Sequence, residues 1–165
     1  MRTRYIAAVI ASVSMAAGIG CTQVIAESSA CRNLPYKDGE VPRAQYVPCA
    51  GEIVTALEEL DRQTEAALAG DKQARADGQT TLRRVIALMN AAGGRQLLER
   101  WNDRTLMDLN VDMHNAVSHY QAFYLVRILD NSNPYAATSR EAARAEYVGG
   151  HRRFLDASRT YRFLK

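Results

Sequence analysis

The chain has 165 residues, 24% of them charged, and a formal net charge of +3 at pH 7. Without Arg2 and Arg4, which precede an apolar N-terminal run, 19 basic residues face 18 acidic ones and the net charge is +1. A chain of this size accommodates one domain with a real core, and its near-neutral balance argues against nucleic-acid binding.

Residues 1–26 have the three-part layout of a secretory signal peptide. Arg2 and Arg4 precede an uncharged apolar run over 6–19, which is too short to form a stable membrane span. The tripeptide Val-Ile-Ala at 24–26 is a small-residue pattern typical of signal cleavage. We therefore expect export to the periplasm or the extracellular space, where disulfides persist and ATP-dependent chemistry is not expected.

A second cleavage pattern lies just upstream of the first. The run Gly18-Ile19-Gly20-Cys21 resembles the lipobox of bacterial lipoproteins, in which the cysteine is acylated and becomes the mature N-terminus. Gly20 suits the position before that cysteine, whereas Gly18 departs from the large aliphatic residue usual three places before it. On this alternative the signal is 1–20, Cys21 is the lipidation site, and the protein is held on a membrane.

The two remaining cysteines, Cys31 and Cys49, form an even pair in an oxidising compartment, which predicts a disulfide bond. Three of the four prolines of the chain lie between them, and proline disfavours both helix interiors and central strands. The sequence therefore predicts an irregular N-terminal arm over 27–51, pinned by the bridge. In the chain-entropy description, closing such a loop contributes about 3 kcal/mol.

Downstream of the arm, apolar residues recur at helical spacing. The pattern predicts helix A over about 52–69, with Gly70 as its stop, and helix B over about 80–92, ended by glycines. The polar stretch 72–79 between them is compatible with a loop or a frayed helix. A short helix C is predicted over about 95–102.

Helix D is the longest predicted element, over about 105–130. Thr105 followed by Asp108 matches a capping box at its start. Past Tyr120 nearly all faces of the helix are apolar, which predicts that its second half lies at the centre of the domain.

A second capping box, Thr138 with Glu141, predicts the start of helix E, which Gly149-Gly150 should break or kink before a final segment over 151–164. No convincing strand pattern of alternating polarity is present. The predicted fold class is therefore all-α, an irregular bundle of four to six helices forming a single domain over 52–165.

The polar face of helix D carries residue types that bind metals. Asp108, Asp112, Asn115 and His119 share this face, and Asp108, Asp112 and His119 are the candidate ligands. Asp112 and His119 lie two turns apart, about 10 Å along the axis, so other helices would have to complete any site. A solvated helix face is the simpler interpretation, and we predict no cofactor.

No catalytic residue is predicted. His114 and His151 stand beside apolar residues without a nucleophile or carboxylate placed by local sequence, so structural roles are expected for both. A hydrolase that uses carboxylates such as Asp108 and Asp112 in acid/base roles is a third, least favoured alternative. The sequence thus favours a protein that is not an enzyme.

The C-terminal segment combines cations with aromatic rings, a composition that suits contact with an anionic partner. Its candidate contact residues are Arg152, Arg153, Arg159, Tyr161, Arg162 and Phe163. A surface helix with cations near the negative end of its dipole is the simpler interpretation.

Export, the disulfide and the lack of catalytic motifs favour an envelope protein that acts through protein–protein contact, as an accessory subunit, adaptor or inhibitor-like module. The partner is expected to be another envelope protein and not a nucleic acid. A membrane contact is expected only through lipidated Cys21 or the basic C-terminal segment. The alternative is a periplasmic helical bundle that binds a small ligand or a metal.

Overall fold

The computed structural model describes residues 29–32, 34, 41–93, 103–128 and 132–165, and every regular element within these ranges is an α-helix. The predicted export signal and predicted helix C lie outside the described residues. The all-α class is confirmed, and the number of helices agrees with the lower predicted bound. The four helices are α1 (Arg43–Leu68), α2 (Lys72–Ala91), α3 (Arg104–Leu125) and α4 (Ala136–Leu164).

Helix α1 begins at Arg43, inside the segment predicted to be irregular up to residue 51, so that prediction is wrong for its C-terminal part. Pro48 lies within the helix and supplies no backbone N–H there. The side chains around it compensate, because Tyr46 and Cys49 are fully buried in the core. Tertiary packing thus outweighs the local cost of the proline.

The predicted Cys31–Cys49 disulfide is confirmed, and both cysteines are buried. It joins the segment preceding α1 to the second turn of that helix. Glu52 adds two hydrogen bonds, because its carboxylate accepts from the Ser29 hydroxyl at 2.6 Å and from the Ala30 N–H at 2.7 Å. Residues 29–31 are therefore fastened to the start of α1 both covalently and by hydrogen bonds.

The turn between α1 and α2 follows the predicted stop. Gly70 has a φ of +106°, which a residue with a Cβ rarely adopts, and Asp71 then caps α2 by accepting from the N–H groups of Gln73 and Ala74. With this cap the helix begins at Lys72, so the stretch 72–79 is helical from its start. Helix α2 ends at Ala91, as the glycines after it predict.

The start of α3 differs from the prediction by its cap. Asp103 accepts from the N–H groups of Thr105 and Leu106 at 3.0 and 3.2 Å, so Asp103, and not Thr105, is the N-cap. A carboxylate at this position satisfies two free N–H groups and suits the positive end of the helix dipole.

Helix α3 ends at Leu125, before the predicted residue 130. The guanidinium of Arg75 on α2 donates to the Val126 carbonyl at 2.7 Å and to the Tyr124 carbonyl at 3.4 Å, which satisfies the free end of the helix. Tyr120 and Phe123 lie in the core, but Leu125 is 85% exposed. The apolar residues that follow Tyr120 in sequence are therefore only partly buried in the structure.

Helix α4 begins at Ala136 without a side-chain cap and continues unbroken through Gly149 and Gly150, so the second capping box and the break at the glycines are both wrong. The glycines permit a close contact with α3. A Cβ added at Gly150 would lie 2.8 Å from the ring of Tyr120, and one at Gly149 would lie 2.7 Å from the ring of His119.

Helix α1 packs against α2 and α4, while α3 packs mainly against α4. The core between them holds large side chains from all four helices. The largest fully buried side chains on α1 and α3 are Tyr46, Ile53, Leu57, Leu60, Leu106, Leu109, Met113, Tyr120 and Phe123. Within the described residues, no helix has the length and apolarity needed to cross a membrane.

We predict that Gly150→Ala lowers the free energy of unfolding by about 1–3 kcal/mol, because the added methyl overlaps the buried Tyr120 ring. Helix propensity alone predicts the opposite sign, a gain of about 1 kcal/mol. Chemical denaturation followed by circular dichroism measures the difference.

The matched control is Ala145→Gly, on the exposed side of the same helix. It should lose about 1 kcal/mol from propensity alone. An increase in stability for Gly150→Ala would show that the close contact between Gly150 and Tyr120 is not required.

Candidate functional site

The structure keeps the three candidate metal ligands of α3 apart. Asp112 accepts from Arg153 on α4 at 3.2 Å, His119 lies 2.8 Å from Glu146, and Asp108 is exposed. Across the described ranges, no group of three or more His, Cys, Asp or Glu side chains could hold a metal ion.

The polar face of α3 is partly covered by α4. Burial raises the pKa of the Asp112 carboxyl, and the hydrogen bond and charge of Arg153 act against that rise. The face therefore supplies two connections between helices, Asp112 to Arg153 and His119 to Glu146. The simpler interpretation of this face as fully solvated needs correction, because Asp112 and His119 are both half-buried.

A buried polar cluster joins α1, α3 and α4. Asp61 of α1 accepts from the Tyr120 hydroxyl at 2.6 Å, and both of its carboxylate oxygens lie 3.0 Å from Nδ1 of His151. Asp61 and Tyr120 are buried, whereas the His151 side chain is 41% exposed. We call these three residues the Asp61 cluster.

The chemistry of the Asp61 cluster follows from its donors and acceptors. A carboxylate can only accept, so Nδ1 of His151 carries the proton and Nε2 remains as the second nitrogen of a half-exposed ring. Burial, together with the hydrogen bond to Asp61, raises the pKa of Tyr120, which stays a neutral donor. The cluster thus satisfies a carboxylate that would otherwise be costly to bury.

Next to the Asp61 cluster, an open groove of about 780 Å³ runs between α1 and α4. Tyr147 lines this groove and also contacts the Asp61 cluster, because its ring centroid lies 5.6 Å from that of His151. Burial, followed by the charges of Asp61 and Glu65, raises the pKa of Tyr147 to about 12, so its hydroxyl stays protonated. This α1–α4 groove is lined by Glu65, Leu68, Ala69, Arg140, Glu141, Arg144, Tyr147 and Val148.

A second groove, of about 600 Å³, lies between α2 and α3. Its walls are largely apolar, with Leu82 and Ile86 on α2 facing Tyr124 and Leu125 on α3. None of the described residues that line it is acidic.

The C-terminal contact residues predicted from sequence divide into two sets. Arg153 turns toward α3 and its partner Asp112, and Tyr161 is half-buried over Gly51 of α1. The other four, Arg152, Arg159, Arg162 and Phe163, are exposed.

Three of these exposed residues share one side of α4 with two exposed aliphatic residues, at helical spacing. Val148 is 56% exposed, Leu155 is 41% exposed and Phe163 is 81% exposed. We define the outer face of α4 as Val148, Arg152, Leu155, Arg159 and Phe163.

Sequence reasoning missed Asp61 and its partners. A signal was present, because Asp61 lies within the apolar stripe of helix A, between Leu60 and Thr64, which are both fully buried. His151 was assigned a structural role, and its bond to Asp61 agrees with that role. Its partner is 90 residues away in sequence, so no local spacing indicates the pair.

Comparisons with protein-family models, curated proteins and solved structures gave no match to this chain.

We predict that Tyr120→Phe lowers the free energy of unfolding at pH 7 by about 1–3 kcal/mol, because Asp61 stays buried but loses a donor. The pH dependence should also change. Since burial raises the pKa of Tyr120, the unfolded chain releases this proton first, and wild-type stability falls as pH rises past about 10. Phe cannot ionise, so the fall becomes shallower in urea unfolding measured from pH 7 to 11.

The control is Tyr135→Phe, a tyrosine that is 70% exposed. It should change stability by less than about 0.5 kcal/mol. Equal effects of the two substitutions would contradict a structural role for the Asp61 cluster.

Proposed function

We propose that this protein is exported and acts by binding another envelope protein through the outer face of α4. The observation that supports this is the set of exposed apolar side chains on one side of a rigid helix, with arginines between them. Aromatic residues and arginine are the types enriched in protein interfaces, and an exposed Phe beside Arg suits a contact hot spot.

The opposite side of α4 is already used by the bundle. Ala143, Gly150, Phe154 and Ala157 are buried against the rest of the domain. The helix is therefore held in place by its inner side, and its outer face is presented without needing to fold on binding. Preorganisation of this kind lowers the entropic cost of association.

The charges of the outer face favour an acidic partner. Arg159 forms an ion pair with the half-buried Asp156 at 3.2 Å, and Arg152 has no ion pair among the described residues. A partner surface with carboxylates around an apolar centre would match this arrangement.

A protein partner fits this face better than a lipid bilayer. Helices that lie in a membrane interface bury a wide apolar side, whereas here three apolar residues form a narrow strip interrupted by cations. The confirmed disulfide is compatible with export, as the N-terminal signal sequence predicts.

We predict that Arg152→Glu combined with Phe163→Ser abolishes the recovery of a specific partner while leaving the helical circular dichroism unchanged, because both side chains are exposed. The measurement is quantitative affinity purification from envelope extracts of the native host, with the full chain as bait. A partner must be enriched by the wild type and lost with the double variant.

The matched control is Arg62→Glu with Leu125→Ser, an exposed arginine and an exposed leucine away from α4. It should retain the partner. Equal loss with both variants would overturn the assignment to α4. Binding to vesicles of anionic phospholipid that the α4 variant abolishes, with no protein partner enriched, would show that the face contacts membranes instead.

A further inference from the structure

The α1–α4 groove places opposite charges on its two walls. Glu65 projects from α1 and Arg144 from α4, both are exposed, and both line the groove. Within the described part of the chain, neither of them takes part in an ion pair within 4.0 Å. An acid and a base from opposite walls thus face one groove without forming an ion pair, and Arg140 and Glu141 line the same groove from α4.

The two charges are offset along the groove. Helices α1 and α4 run antiparallel, because Asp61 contacts His151 while Gly51 contacts Tyr161. Glu65 lies one turn after Asp61, toward the C-terminus of α1. Arg144 lies two turns before His151, toward the N-terminus of α4, which is the same direction along the bundle. The two charges therefore differ in height along the helix axes by about one turn, or 5 Å. Because the two charges also lie on different helices, a ligand that contacts both must reach across the groove.

Between the charges, the groove offers apolar contacts and one neutral donor. Leu68 and Ala69 line it from α1, and Val148 lines it from α4. The Tyr147 hydroxyl stays protonated beside Glu65, and so it supplies a donor without adding charge. The volume of about 780 Å³ lies within the range of small-molecule sites.

We propose that the α1–α4 groove binds a zwitterionic aliphatic amino acid or a short peptide. Glu65 accepts hydrogen bonds from the ligand ammonium, Arg144 donates to the ligand carboxylate, and Leu68 with Val148 contacts the aliphatic side chain. Arginine suits this role because its planar fork matches a carboxylate. This site shares Val148 with the outer face of α4, but its charged contacts, Glu65 and Arg144, lie outside that face.

Calorimetric titration of the full mature protein tests the proposal with four probes. L-leucine and L-leucyl-L-leucine carry both charges, 4-methylpentanoate lacks the ammonium, and 3-methylbutylamine lacks the carboxylate. We expect at least one zwitterion to bind about tenfold more tightly than either single-charge analogue, because each analogue loses a charge-assisted hydrogen bond. The tighter of the two zwitterions distinguishes a free amino acid from a peptide as the ligand.

Two substitutions assign the contacts. Glu65→Gln should weaken the zwitterion about tenfold and leave 4-methylpentanoate unchanged, whereas Arg144→Gln should weaken the zwitterion and leave 3-methylbutylamine unchanged. The matched controls Glu58→Gln and Arg62→Gln remove the same charges from exposed positions of α1 that do not line the groove. They should bind all four probes as the wild type does.

Three results would overturn the proposal. The first is the absence of binding by both zwitterions at millimolar concentration. The second is equal binding of a zwitterion and 4-methylpentanoate, which would indicate a site for anions alone. The third is wild-type affinity in both Glu65→Gln and Arg144→Gln, which would place the binding elsewhere. Circular dichroism confirms that each variant is folded before titration.

Discussion

Tyr120 is the side chain on which three of the four helices depend. Its ring lies against Gly150 of α4, its hydroxyl donates to Asp61 of α1, and its backbone belongs to α3. Asp61 in turn binds His151 of α4. The Tyr120 ring therefore limits how closely α4 approaches α3, and the Asp61 carboxylate fixes where α4 lies along α1. A buried polar network of this kind specifies one packing arrangement only when all its members are satisfied.

The position of α4 creates both surfaces to which we assign binding. The inner side of α4 is buried against the rest of the bundle, and its flank toward α1 forms one wall of the groove. Its outer face remains exposed. The two surfaces meet at Val148, which lines the groove and is also the first residue of the outer face. A ligand in the groove and a partner on α4 would therefore contact neighbouring parts of one rigid helix.

Sequence periodicity predicts the all-α fold and much of the core, because the stripe of helix A is buried as expected and the cysteine pair forms its bridge. Periodicity does not predict features that depend on contacts between residues far apart in sequence. The helical turn at Pro48 depends on burial around it, and the unbroken helix at Gly150 depends on Tyr120 from α3. The bond between Asp61 and His151 spans 90 residues, and no local spacing encodes it.

The Cys31–Cys49 bridge also determines at which end of the bundle the segment before α1 is held. Cys31 is bonded near the start of α1, and the last turns of α4 lie at that same end because Tyr161 covers Gly51. Cys21 lies ten positions before Cys31, which corresponds to a tether of at most about 35 Å. Acylation of Cys21, the alternative predicted from sequence, would hold Cys31 within that reach of the bilayer, whereas the predicted cleavage after Ala26 would release it. On the proposal that the protein is exported, the predicted cleavage site therefore decides how far from the membrane this end of the bundle lies.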